Sequence, residues 1–250
     1  MRTLSGARRW VGAVVVLLIV TPAGAQSPLV GELRAFAARY HEDPARLDRL
    51  YTGLTEAVRT DSHLENFLAL AEICFIWGDI RARTPEEKLE AYDRGRQAAK
   101  RAVELGPRNP LAHFWLATNA GRWGQTKGVM RSLFLLPTVK EGMQTALELD
   151  PKLVGAYSLA GTVFYEVPGL LGGDLDKSEE MFRKGLNLDP KTTGLRVGLA
   201  QTLIKRQRLD EARRQLQAVL DEKEPRNPAD WTMKDLKRAR DLLDSLKGKP

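Results

Sequence analysis

A six-residue phrase is written three times along the chain: AVELGP from Ala102 to Pro107, ALELDP from Ala146 to Pro151 and GLNLDP from Gly185 to Pro190. Each copy closes one amphipathic run and is followed by another, so the chain is assembled from repeated helical units. Apolar residues recur at intervals of three and four almost everywhere, as at Leu64, Phe67, Leu68, Ala71 and Phe75, and strand signals are nearly absent. A single helix pair cannot bury its own apolar face, so the core must come from stacking pairs on one another.

Helix starts are marked by a polar residue before proline, at Asp43-Pro44, Thr84-Pro85, Asn109-Pro110 and Asn227-Pro228. The polar side chain accepts from an orphan backbone N–H, and proline in the first turn loses no hydrogen bond. Thr84-Pro-Glu-Glu87 reads as a capping box. Asp174 or Asp176 serves as the N-cap of KSEEMFRKGL.

The phrase and its spacing resemble the tetratricopeptide repeat, a family of stacked antiparallel helix pairs. The last copy fits a unit of about 34 residues without gaps, from about Thr193 to Arg226. Leu199, Ala200 and Leu203 take the packing positions of its first helix, and Ala212 and Leu216 those of its second. One copy earlier, Tyr157, Gly161 and Phe164 match the first helix and Phe182 the second. The resemblance implies an all-α, right-handed α-solenoid with extra N-terminal helices and a C-terminal capping helix.

Successive prolines of the phrase lie 44 and 39 residues apart, so two units exceed the regular period. The excess predicts inserted loops near 119–137 and 166–174, both on one edge of the array, where loops carry function. In the first, Ala117, Gly121, Gly124 and Gly128 form a small-residue stripe, and Pro137 is expected to break the helix. Either a helix following Pro137 fills that stripe or a ligand or partner backbone does. Trp115, Asn119, Arg122 and Trp123 fall on the adjoining face, offering stacking surface and planar donors. Gln125, Lys127, Phe134 and Tyr165 complete the candidate binding set. SLFLLPTV is expected to form a buried corner, with an exposed lip as the other reading.

The N-terminus begins with the basic MRTLSGARRW, continues with the apolar VGAVVVLLIV and ends at small residues Ala23 and Ala25. This order predicts a secretory signal at 1–25, cleaved after Ala25, and a soluble periplasmic or secreted protein without stable membrane insertion. Arg2, Arg8 and Arg9 leave with it and no acid does, taking the formal net charge from +7 to +4. So mild an excess, interleaved with acids such as the Glu90–Arg94 pair, gives no reason to expect nucleic acid. The single cysteine, Cys74, cannot form an internal disulfide and reads as a small buried hydrophobe. Beyond the signal, the expected divisions are N-terminal helices over 26–83, repeats over 84–226 and a capping helix with tail over 227–250.

His41, His63 and His113 are widely separated, and neither a zinc motif nor a nucleophile motif occurs. No catalytic residue, cofactor or metal is therefore assigned. YDRGRQAAKRAVEL, AHFWLATNAGRWGQTKG and VPGLLGGDLDKSEEMFRKGLNLDP together resemble the T-component family of tripartite ATP-independent periplasmic transporters. That resemblance covers roughly residues 64–220 and implies a non-enzymatic adaptor that engages a protein partner, the periplasmic solute-binding component. The lipid-modified cysteine expected of many members is missing from AGAQSP. The competing reading is a binder of a small apolar or carboxylate-bearing ligand in a cavity at the insertions. Homo-oligomerisation is compatible with either.

Overall fold

The structure, a computed structural model, describes residues 27–248. The signal segment expected at 1–25 lies outside the described residues. Helices account for nearly all regular structure. They are α1 (Pro28–Phe36), α2 (Arg46–Thr60), α3 (Leu64–Ile80), α4 (Pro85–Leu105), α5 (Pro110–Lys127), α6 (Val129–Leu149), α7 (Val154–Glu166), α8 (Leu175–Leu188), α9 (Thr193–Lys205) and α10 (Leu209–Asp221). A 3-10 turn, Gly169–Leu171, precedes α8. The C-terminal segment runs from α11 (Pro228–Asp230) through a π-helical stretch, Trp231–Asp235, into α12 (Leu236–Ser245).

A side-chain cap accounts for the start of α1, α3, α4, α5, α8 and α11. Both halves of the capping box at Thr84 and Glu87 are made. Asn109 accepts from the Leu111 and Ala112 amides, and Asn227 accepts from the Asp230 amide. Asp174, rather than Asp176, caps α8. Asp43-Pro44 marks its helix less closely: a short turn intervenes and α2 begins at Arg46.

Helices α3 to α10 stack as four antiparallel pairs, α3–α4, α5–α6, α7–α8 and α9–α10. Small residues let the pairs close and large ones fill the joints. Phe182 of α8, 2 % exposed, lies against Gly161 of α7 and Gly198 of α9. Leu199, Ala200, Leu203, Ala212 and Leu216 are all fully buried in the last pair. The N-terminal core joins α1 and α2 to the first pair through Leu33, Leu47, Leu50 and Ile73. Cys74 is buried in the same core, and burial pushes its thiol pKa up.

The first insertion differs from the expected loop. Residues 119–137 are helical on both sides of a single break at Gly128, whose φ of +113° is strained for any residue with a Cβ. Pro137 does not end a helix; it sits inside α6. It cannot donate to the carbonyl four residues back, but α6 continues because Val139, Met143 and Ala146 bury its following turns. The added length therefore extends both helices of one pair. Their close approach uses the small residues: a Cβ on Gly124 would lie 3.0 Å from the Ser132 Cα, and one on Gly142 would lie 2.9 Å from the His113 carbonyl oxygen. The stripe on α5 is filled by α6 itself.

The C-terminal segment caps the last pair, as expected, and also does something else. Leu246 is buried with α9 and α10, but Ala229 belongs to the N-terminal core. The Ala229 amide donates to the Ala38 carbonyl at 3.0 Å, and the Tyr40 hydroxyl donates to Asp230 at 2.5 Å. The segment thus crosses from one end of the array to the other.

Candidate functional site

The inner face of the array encloses a cavity of about 1300 Å³. Its wall comes from the first helix of each pair, with Phe75 on α3, Trp115 on α5, Leu159 on α7 and Gly198 on α9. Leu133 of α6 extends one side and Met233 of the C-terminal segment closes another. Small side chains along α7 and α9 leave the space open, while the apolar groups make most of the wall.

Polar groups collect at two places. At the N-terminal end, Asp79 of α3 accepts from the Tyr92 hydroxyl at 2.8 Å and the Arg122 guanidinium at 3.1 Å, with the Lys234 ammonium 3.7 Å away. Burial, then the Asp79 carboxylate, drives the Tyr92 pKa far up, so its hydroxyl stays a donor. The Phe75 ring lies beneath the Arg122 and Lys234 cations, at 5.6 and 5.9 Å from its centroid. In the C-terminal segment, Asp235 is 3 % exposed and accepts from the Thr193 hydroxyl at 2.8 Å. Burial raises the Asp235 pKa against the opposing hydrogen bond. Thr118 Oγ1 is also buried in the wall, without a hydrogen-bond partner among the described residues.

The candidate residues separate on this geometry. Trp115, Arg122, Gln125 and Tyr165 line the cavity. Trp115 is partly buried, with the Phe114 and Phe75 rings at 4.7 and 5.7 Å. Lys205 lies 3.6 Å over the Tyr165 ring. Asn119 belongs to the core: it is fully buried, and its amide nitrogen donates to the Ala71 and Trp115 carbonyls at 3.1 and 3.0 Å. This bond ties α5 to α3 and leaves Asn119 no accessible atom for a partner. Trp123, one residue beyond Arg122, is rotated away from the wall and half-buried. Lys127 and Phe134 also lie outside the wall, both exposed. The buried corner expected around SLFLLPTV is not formed at Phe134, which is 73 % exposed, because its side of α6 faces no neighbouring helix.

Sequence reasoning did not find Asp79, Tyr92, Tyr40, Asp230 or Lys234. Each is an ordinary helical polar residue in the sequence, and Tyr40 and Asp230 meet across 190 positions. Among the described residues, no group of three or more His, Cys, Asp or Glu side chains is placed to hold a metal ion.

Comparison with known proteins follows the two halves of this architecture. The profile of regulator of microtubule dynamics protein 1-3 matches residues 33–171, and a tetratricopeptide repeat profile matches residues 170–233. Regulator of microtubule dynamics protein 3 of Xenopus laevis is 26 % identical over 139 residues, 49 % of this chain and 29 % of that protein. The chain thus spans about three-tenths of the length of that curated relative. TTC0263, a thermophilic tetratricopeptide repeat protein of Thermus thermophilus, superposes with a TM-score of 0.63 at 22 % identity, covering 86 % of this chain and 99 % of its own. These matches carry the tetratricopeptide part of the sequence reading and not its T-component part. The profile matched over more than half of the sequence places the chain in the regulator of microtubule dynamics protein 1-3 family.

Proposed function

We propose that the protein is a non-enzymatic helical-repeat adaptor whose inner cavity receives a segment of a protein partner. The observation that carries this reading is the wall contributed by four successive helix pairs, with the Arg122 and Lys234 cations among its lining. Binding to protein partners is the general property of tetratricopeptide arrays, and the stretch shared with regulator of microtubule dynamics protein 3 lies mostly in this array. Co-sedimentation with polymerised tubulin tests whether the role in that relative's name extends to this chain. A solute-binding protein of a transporter is the partner suggested by the T-component resemblance.

A photo-crosslinker at Ser158, which lines the cavity, tests the occupant directly. One dominant protein adduct, removed when Leu159 is changed to Arg, supports the adaptor; adducts unaffected by that change refute it. Thr118 and the apolar wall favour a second reading, a small amphiphile with an acidic end near Arg122. Native mass spectrometry of the gently purified protein separates the two by showing a bound mass below that of a peptide. Export belongs to the same proposal: N-terminal sequencing of the secreted product should begin at Gln26, and a mature chain beginning at Met1 refutes it.

A further inference from the structure

One rim of the cavity carries apolar side chains that no part of the fold covers. Val129, Met130 and Phe134 at the start of α6 are 76, 79 and 73 % exposed, and Leu170 on the 3-10 turn is fully exposed. Lys140 Nζ of α6 donates to the Leu171 carbonyl at 2.8 Å, which holds the turn beside α6. Val129 and Leu171 also line the cavity, so this apolar lip is continuous with its mouth.

On the α6 side of the lip the charge is one-sided, whereas Glu166 and Asp174 flank the 3-10 turn. No Asp or Glu occurs between Glu104 and Glu141, while Arg108, Arg122, Lys127, Arg131 and Lys140 fall within that stretch. Arg122 is held by Asp79, but the Lys127 and Arg131 side chains are exposed and form no ion pair among the described residues. Elsewhere arginines are engaged closely, as by Glu32, Asp48 and Glu179. Met130 and Phe134 stand one helical turn apart, with Arg131 beside them.

On the first turns of α6, exposed aliphatic and aromatic groups beside unpaired cations match the interface of an anionic bilayer. The apolar side chains enter the acyl boundary while the cations meet lipid phosphates. A second copy of the chain on a two-fold axis would instead bring the same unpaired cations together. We infer that the α6 lip, with Leu170, seats on an anionic lipid surface and turns the cavity mouth toward the bilayer. This goes beyond the adaptor reading and is independent of what the cavity holds.

The test is co-sedimentation of the full chain with vesicles of phosphatidylcholine alone and of phosphatidylcholine mixed with phosphatidylserine. The wild type should sediment with the mixed vesicles and not with the neutral ones, and added salt should weaken the binding. Lys127→Glu with Arg131→Glu should lower the affinity by about fivefold or more per charge changed. Met130→Ser with Phe134→Ser should lower it at least about tenfold. Both pairs are exposed, so melting temperatures should match the wild type and a folding defect is recognisable. Equal binding to both vesicle types overturns the inference. So does binding that survives both variants, which would place the membrane contact in the apolar stretch at 11–20. Failure to bind vesicles, with the lip variants dissolving a dimer or losing a protein partner instead, overturns it as well.

Discussion

Removing one hydroxyl, by Tyr40→Phe, should release the C-terminal segment from the N-terminal end of the array. Tyr40 is 1 % exposed, so phenylalanine keeps the ring and its packing and loses only the bond to Asp230. A hydrogen bond to a charged group contributes about 1.5–3 kcal/mol. Asp230 retains Lys234 at 2.6 Å and Asn227 at 3.1 Å and is 36 % exposed, which places the coupling at the lower end, about 1.5 kcal/mol. A double-mutant cycle of Tyr40→Phe with Asp230→Ala, followed by urea unfolding, measures that term. Hydrogen exchange locates it: the Ala229 amide, bonded to the Ala38 carbonyl, should exchange about tenfold faster in Tyr40→Phe. Amides of α9 and α10 should be unchanged. A coupling below about 0.5 kcal/mol, or equal acceleration throughout the chain, would refute a separately opening segment.

Gly121→Ala should stabilise the protein by about 0.5–1 kcal/mol, because the new Cβ meets only Val139 at 3.8 Å and the helix gains propensity. Gly124→Ala, one turn along, should destabilise by about 1–3 kcal/mol in the same thermal melts, since its Cβ would press on the Ser132 backbone. Burial lifts the Glu72 pKa to about 7, with Arg34 opposing. The folded state therefore favours the protonated acid, and its contribution is lost as pH rises through about 7. Glu72→Gln should raise the melting temperature at pH about 8 and change little at about 4; the reverse order refutes that environment. Glu179 has the opposite sign: burial raises its pKa, but bonds from Arg183 and Arg208 outweigh it and hold the value below the ordinary range. Its stabilisation is present above the ordinary glutamate range and fades on acidification. Glu179→Ala should cost about 1–2 kcal/mol near neutral pH, because Arg183 and Arg208 lose one carboxylate but keep Glu211, and an unchanged urea midpoint would show that water replaces the carboxylate.

What the sequence could carry was local. The phrase ending at Pro107, Pro151 and Pro190, the three- and four-residue apolar spacing and the caps at Thr84, Asn109 and Asn227 act within a helix or between neighbouring helices. They determine an all-helical array and the packing positions of its last pair. The site was legible only in part. Trp115, Arg122, Gln125 and Tyr165 reach the cavity, whereas Asn119 and Trp123 turn elsewhere, because a rotation of one helix by one residue separates wall from core. Pro137 misled for a related reason: its missing hydrogen bond is a local cost, while the burial of Val139, Met143 and Ala146 is a tertiary gain. The cavity itself, the Asp79 cluster and the crossing C-terminal segment depend on contacts such as Tyr40 with Asp230. Such contacts leave no mark in local spacing, since they exist only once the curvature of the stacked pairs has brought distant helices together.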